Sequence, residues 1–286
     1  MPWLESTVSV RHLGKDDSMT RGLAKKPLSW SSTFHALELD SEKVHLWLAF
    51  PGHNALDQFG HDAWAWLGER ERFRALRLSD ARQRALYLEA RIGLKILIEA
   101  YTGLPRDRIT LEYGPRGKPE LGKPLQWLQF NYSMSSGYVL YAFSRDRELG
   151  VDLEMHPRDV HVQRLSNRIL SKPEKQYFDN LPKTQQHAAM LDWWTRKEAY
   201  GKLLGVGIRY NMSQTNLLQD PDSFCWMLPV SGLFGDTRDG PRFGHVYGTQ
   251  IELPTDGSAA LMYDSPDSNR HHPDIQAFNF ASIKTG

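Results

Sequence analysis

Cysteine is almost missing: Cys225 is the only one in 286 residues. An intramolecular disulfide is therefore excluded, and so is a zinc site built on cysteines. A reducing compartment fits, and a cytoplasmic protein is expected. No apolar run approaches the roughly 18 residues that a membrane span needs. The N-terminus has no continuous apolar core, so no secretory leader is expected, and Glu5, Asp16 and Asp17 argue against a transit peptide. Charge of one sign is lacking too, since 35 Lys and Arg stand against 34 Asp and Glu, so nothing points to nucleic acid. A P-loop, a dinucleotide fingerprint and a Ser-His-Asp spacing are all missing, and the 11 histidines form no catalytic set. A composition 40% hydrophobic and 24% charged is ordinary for a globular chain of one large domain or two small ones.

What is present centres on two short stretches. Gly150-Val151-Asp152-Leu153-Glu154 reads as a strand. Alternation puts Val151 and Leu153 on one face, and Asp152 and Glu154 on the other, roughly 6–7 Å apart. Trp194 to Lys202 reads as the end of a long helix, with Glu198 and Lys202 four apart on one side. At 100° per residue, Met190, Trp193, Trp194, Tyr200, Gly201 and Leu204 form a core-facing stripe, and Lys197 falls near its middle. A charge there needs a partner of its own. Alone, an Asp-x-Glu strand is usually a solvated face, and a Glu–Lys pair a surface ion pair of about 0.3–0.5 kcal/mol. In the helix, a metal for Glu198 and phosphates for Lys197 and Lys202 would satisfy all three, and it is the conjunction of the two stretches that points to a site.

The remaining chain alternates short strands and helices. Residues 1–40 show no sustained period and read as a partly ordered extension. Val44–Phe50 reads as a strand closed by Pro51-Gly52. A helix capped by Asp80 runs through Arg91 to Tyr101 and stops at Gly103. Before it, Arg70, Arg72, Arg74, Arg77, Arg82 and Arg84 crowd a stretch that is either a solvated face or an anion-docking surface. A tight turn at Gly114–Pro119 presents Lys118. Strands are expected at 109–113, 127–132 and 138–144, then helices at 161–169, 173–180 and 184–204. Further strands are expected near 224–228, 243–252, 259–263 and 276–280. The division is an extension at 1–40, an N-terminal α+β subdomain at 41–146, a C-terminal one at 147–264 and a polar tail at 265–286. Each half has a strand, then helices, then strands, a hint of duplication.

Taken in order, Gly117-Lys118-Pro119, Phe130-Asn131-Tyr132-Ser133, Gly150–Glu154 and Trp194-x-x-Lys197-Glu198-Ala199-x-x-Lys202 resemble the 4'-phosphopantetheinyl transferases of the long, surfactin-synthetase-activating type, over roughly residues 42 to 263. The resemblance implies an α+β fold of two similar subdomains about a pseudo-twofold axis, with coenzyme A in the cleft between them. It implies transfer of the phosphopantetheine arm to a serine of an acyl or peptidyl carrier protein, with release of 3',5'-ADP. Asp152, Glu154 and Glu198 would then hold Mg²⁺, with Glu198 as the base, directly or through a metal-bound water, and Lys202 on the leaving phosphate. Lys118, Ser133, Lys197 and Lys202 would contact the coenzyme, and Arg91 and Lys95 stand where relatives often carry bases near the nucleotide. Because one chain would supply the whole cleft, a monomer is expected. One position departs: Met134 stands where the family has a histidine on the 3'-phosphate. Methionine cannot donate a hydrogen bond. Weaker coenzyme binding, compensation by the arginine-rich stretch, or a turn toward dephospho-coenzyme A would each follow. The rivals are a non-catalytic coenzyme A or carrier-binding paralogue and a metal-dependent diphosphate hydrolase.

Overall fold

The computed structural model describes residues 23–32, 37–50, 62–206, 211–218, 223, 225–229, 245–265 and 272–280. The strands are β1 (Trp30–Ser31), β2 (Lys43–Ala49), β3 (Leu111–Tyr113), β4 (Pro119–Leu121), β5 (Leu128–Ser135), β6 (Tyr138–Arg145), β7 (Leu149–Met155), β8 (Cys225–Pro229), β9 (His245–Ile251), β10 (Gly257–Ser265) and β11 (Asp274–Asn279). The helices are α1 (Asp62–Ala65), α2 (Glu69–Arg77), α3 (Ala81–Thr102), α4 (Val162–Ile169), α5 (Lys172–Asn180) and α6 (Lys183–Leu203). The class is α+β, as expected. One sheet has the order β1-β11-β2-β6-β5 and a second the order β7-β10-β9-β8.

The two sheets share a core. Val44, Leu46 and Leu48 of β2 meet Val151 and Leu153 of β7 and Leu261 of β10. The outer face of the first sheet packs Trp47, Tyr141 and Phe143 on Leu94, Leu97 and Ile98 of α3. The outer face of the second packs Ala260 and Met262 on Met190, Trp193, Ala199 and Leu203 of α6. Helices thus cover the outside and sheets meet inside, so β2 is buried on both faces. Helix α3 begins where expected, with Asp80 accepting from the N–H groups of Arg82 and Gln83 at 2.8 and 3.1 Å. It ends at Gly103, in the left-handed region at φ 68°.

Two expectations change. Strand β5 runs on through Ser135, because the Ser136–Gly137 pair, both at positive φ, makes a two-residue hairpin turn. Helix α6 is buried nearly all round rather than along one stripe, because β7 and β10 lie on one side and α4 and α5 on the other. The strand expected near 276–280 forms as β11, and a two-residue strand, β1, lies in the segment read as partly ordered. β11, in the expected polar tail, pairs parallel with β2, and β1 pairs with β11. Most of residues 1–40, the Pro51-Gly52 stop and most of the 265–286 segment lie outside the described residues.

Candidate active site

β5 and β7 are the facing edges of the two sheets, and period-2 alternation along both builds the site. On β5, Asn131, Ser133 and Ser135 share one face. Asn131 Oδ1 accepts from Val151 N–H at 3.0 Å, Ser133 Oγ donates to Asp152 Oδ1 at 2.7 Å, and Ser135 Oγ donates to Glu154 Oε2 at 2.9 Å. On β7, Gly150, Asp152 and Glu154 face α6. Gly150 lets the helix come close: a methyl there would stand 2.3 Å from the Ala199 carbonyl oxygen and 2.4 Å from Leu203 N.

That approach brings α6 onto Asp152. Lys202 Nζ donates to Asp152 Oδ1 at 2.7 Å and to the Val151 carbonyl at 2.9 Å. Asp152 Oδ2 and Glu198 Oε1 are both buried, with no hydrogen-bond partner among the described residues. Burial, and then the charge of Asp152, push the Glu198 carboxyl up to about 7, against the pull of Lys202 and Arg158. Two buried carboxylates with unsatisfied oxygens, each raising the cost of the other's charge, are the donor type that a hard cation takes.

Glu154 is different. Its Oε1 accepts from Trp194 Nε1 at 3.1 Å and pairs with the Arg158 guanidinium, while Ser135 holds Oε2. Among the described residues no three acidic or imidazole groups converge as a metal set. Of the three carboxylates expected to share a metal, Glu154 has both oxygens engaged by Ser135, Trp194 and Arg158, whereas Asp152 and Glu198 each keep one oxygen without a hydrogen bond.

Beside Asp152 opens a cleft of about 370 Å³ between the halves. Arg74, Arg91, Arg116, Lys118, Ser133 and Lys202 line it, with Met134 and Tyr132. Lys118, on its tight turn, pairs with Glu148 at 2.8 Å. Arg91 is buried beside Glu71 and lies over the rings of Tyr87, Tyr113 and Tyr132. Lys95, one turn further, is not in the cleft lining. It donates to the Ile109 carbonyl at 2.5 Å, and burial pulls its ammonium pKa down.

Lys197, expected at the coenzyme's phosphates, is also outside the cleft lining. Its ammonium is fully buried and pairs with Glu174 of α5 at 2.8 Å, and it donates to the Met212 and Thr215 carbonyls. The core position foretold by the helix register is correct, but the partner is a carboxylate of the chain itself. Burial pulls this ammonium pKa down as well, with Glu174 opposing.

Sequence reasoning missed Arg158, Trp194 and Ser135 as partners of Glu154. The Asn131-x-Ser133-x-Ser135 alternation was the available signal for the last.

A sequence profile of the 4'-phosphopantetheinyl transferase superfamily matches residues 148–242. Among curated proteins, the chain is 32% identical over 174 residues to the 4'-phosphopantetheinyl transferase HetI of Nostoc sp., covering 60% of this chain and 73% of that one. It is 33% identical over 144 residues to the 4'-phosphopantetheinyl transferase psf-1 of Bacillus pumilus, covering 50% and 58%. It is 28% identical over 147 residues to the L-aminoadipate-semialdehyde dehydrogenase-phosphopantetheinyl transferase of Xenopus laevis, covering 47% and 48%. The described residues contain no helix long and apolar enough to cross a membrane.

Proposed function

Because the chain belongs to the 4'-phosphopantetheinyl transferase superfamily, we propose that it moves the 4'-phosphopantetheine arm of coenzyme A onto a serine hydroxyl of a carrier protein in the cytoplasm. The serine oxygen forms a bond to the β-phosphorus, the bond from that phosphorus to the bridging oxygen breaks, and 3',5'-ADP leaves with the electron pair. The observation that carries the reading is the pair of unsatisfied oxygens, Asp152 Oδ2 and Glu198 Oε1, beside a cleft lined by cations.

Each residue then has a task. Arg74, Arg91, Arg116 and Lys118 receive the phosphates of the nucleotide, and Arg91 is pre-set by its tyrosines. Met134 offers no donor there, so the 3'-phosphate rests on the arginines. Asp152 and Glu198 fit Mg²⁺, which is commonly held by one or two carboxylates together with substrate phosphates. When bound, Mg²⁺ would supply charge neutralisation at the diphosphate. Glu198, raised toward neutral pH, is suited to take the serine proton. Lys202, tied to the strand that carries Asp152, supplies positive charge to the departing phosphate. One chain lines both walls of the cleft, so the reading needs no second copy.

The test is incubation with fluorescent coenzyme A, Mg²⁺ and a panel of apo carrier proteins. Label should appear on a carrier serine, and Glu198→Gln should remove it. Binding of coenzyme A without transfer to any carrier would instead favour a non-catalytic paralogue, and turnover without a carrier would favour a hydrolase.

A further inference from the structure

Residues 23–31 cross from one half of the molecule to the other. Leu23 is buried in the core beneath α6, among Met190 and Trp193. Lys26 extends the second sheet at β9: its N–H donates to the Gln250 carbonyl at 2.7 Å, and Glu252 N–H donates to its carbonyl at 3.0 Å. Trp30 Nε1 donates to the Glu252 carbonyl at 3.2 Å, and Trp30–Ser31 then join the first sheet beside β11. One of the residues that this strap bonds on the second sheet also grips α6.

That residue is Gln250. Its Oε1 accepts from Arg196 Nε at 2.9 Å, and its Nε2 donates to Asp192 Oδ1 at 3.2 Å. Lys25 closes the circuit from the strap, pairing with the same Asp192 oxygen at 3.0 Å. Asp192 and Arg196 are one turn apart on one face of α6 and are almost fully buried. Glu198 follows Arg196 by two residues, about 200° round the helix, and so projects from the opposite face. A helix clamped on one face can neither turn nor slide on the other.

We propose that Lys25 is a positioning residue for the Asp152–Glu198 pair. By neutralising Asp192 it fixes α6 against β9, and so fixes the spacing of Glu198 on the helix from Asp152 on β7. This rests on the metal-site reading of the preceding subsection. Without Lys25 the buried Asp192 carboxylate loses its direct ion pair and keeps only the Gln250 amide and the nearby Arg196 guanidinium, and a buried charge so weakened in its pairing draws in water or moves its helix.

The experiment compares the full-length protein with Lys25→Ala and Lys25→Arg. It measures amide exchange across α6, Mn²⁺ affinity by electron paramagnetic resonance without coenzyme A or carrier, and transfer kinetics. Lys25→Ala should speed exchange in α6, weaken Mn²⁺ binding by at least about threefold and lower kcat more than it raises KM for coenzyme A. Lys25→Arg should restore all three. A lower Tm with unchanged Mn²⁺ affinity and kcat would reduce Lys25 to a stabilising contact and overturn the inference, as would unaltered α6 exchange. Wild-type protein that binds no Mn²⁺ sinks the metal-site reading and this inference together, whereas wild-type binding that Lys25→Ala leaves intact sinks the inference alone.

Discussion

Lys202 and Lys197, five residues apart on one helix, end in opposite worlds: Lys202 reaches Asp152 at 2.7 Å beside the cleft, while Lys197 reaches Glu174 at 2.8 Å inside the core. Helical geometry separates them by about 140°. The two lysines therefore predict different losses. Lys202→Met should lower kcat/KM by about 100-fold, the scale of a lost charge-stabilising group, with little change in Tm. Lys197→Met should strand Glu174 and cost about 3 kcal/mol of stability, while the folded fraction keeps its KM for coenzyme A. Steady-state kinetics and thermal melts on both variants check this, and a raised KM in folded Lys197→Met would return that lysine to the coenzyme site.

Gly150 should not tolerate even a methyl group. The atoms it would strike, the Ala199 carbonyl oxygen and Leu203 N, are helix backbone that cannot rotate aside. Gly150→Ala should cost about 1–3 kcal/mol, the usual range for overpacking, and should push α6 off β7. Because Glu198 and Lys202 ride on that helix, Mn²⁺ affinity should fall as well. Calorimetric unfolding together with metal titration checks both. Wild-type metal affinity in the variant would show that helix approach does not set the site.

The fold and site were legible where a local period carries them. Strand alternation placed Asp152 and Glu154 toward α6, and helical spacing put Lys197 in the core and Glu198 near Lys202. Local period does not say what stands opposite. Glu174 lies 23 residues before Lys197 and on another helix, so nothing in its own neighbourhood marks it as the partner. Glu154 looked as free as Asp152 because Trp194, 40 residues on, was read only as core. β11 and β1 are short, and their parallel pairing joins residues more than 200 apart, which no local pattern encodes. For Glu154 even a near partner, Arg158 four residues on, gave no signal, because the turn after β7 that aims it back at the carboxylate has no period to read.

Glu154 and Asp152 should separate under conservative substitution. Asp152 Oδ2 is unsatisfied, while both oxygens of Glu154 are engaged by Trp194, Arg158 and Ser135. Asp152→Asn should reduce Mn²⁺ binding at least about tenfold, the lower end of the loss that follows when even an outer-shell partner of a metal is removed. Glu154→Gln should leave Mn²⁺ affinity within about twofold, because its loss is felt by Arg158 and Trp194 first. Equal losses in the two variants would restore Glu154 as a third ligand.

Glu198 should leave a signature in the pH dependence of stability. Its carboxyl is pushed up to about 7 from an ordinary value of 4.5, mainly by burial. Between those values the folded protein holds a proton that the unfolded chain has shed, so stability falls as pH rises through that window. Glu198→Gln removes the dependence. The variant should match wild type below pH 4.5 and exceed it above pH 7, by roughly 3 kcal/mol at 1.36 kcal/mol per pH unit. His45, whose pKa burial lowers to about 4, makes the folded protein lose stability as pH falls from 6.5, but it is common to both proteins and cancels in the difference. Mg²⁺ should reverse the penalty. Added at pH 8 it should raise the wild-type Tm and leave Glu198→Gln unmoved, and at pH 5.5, where Glu198 is protonated, the wild-type gain should vanish. Chemical denaturation from pH 4 to 8, with and without Mg²⁺, decides it. Parallel stability curves for the two proteins would mean that Glu198 is not the protonated, metal-seeking carboxyl assigned to it.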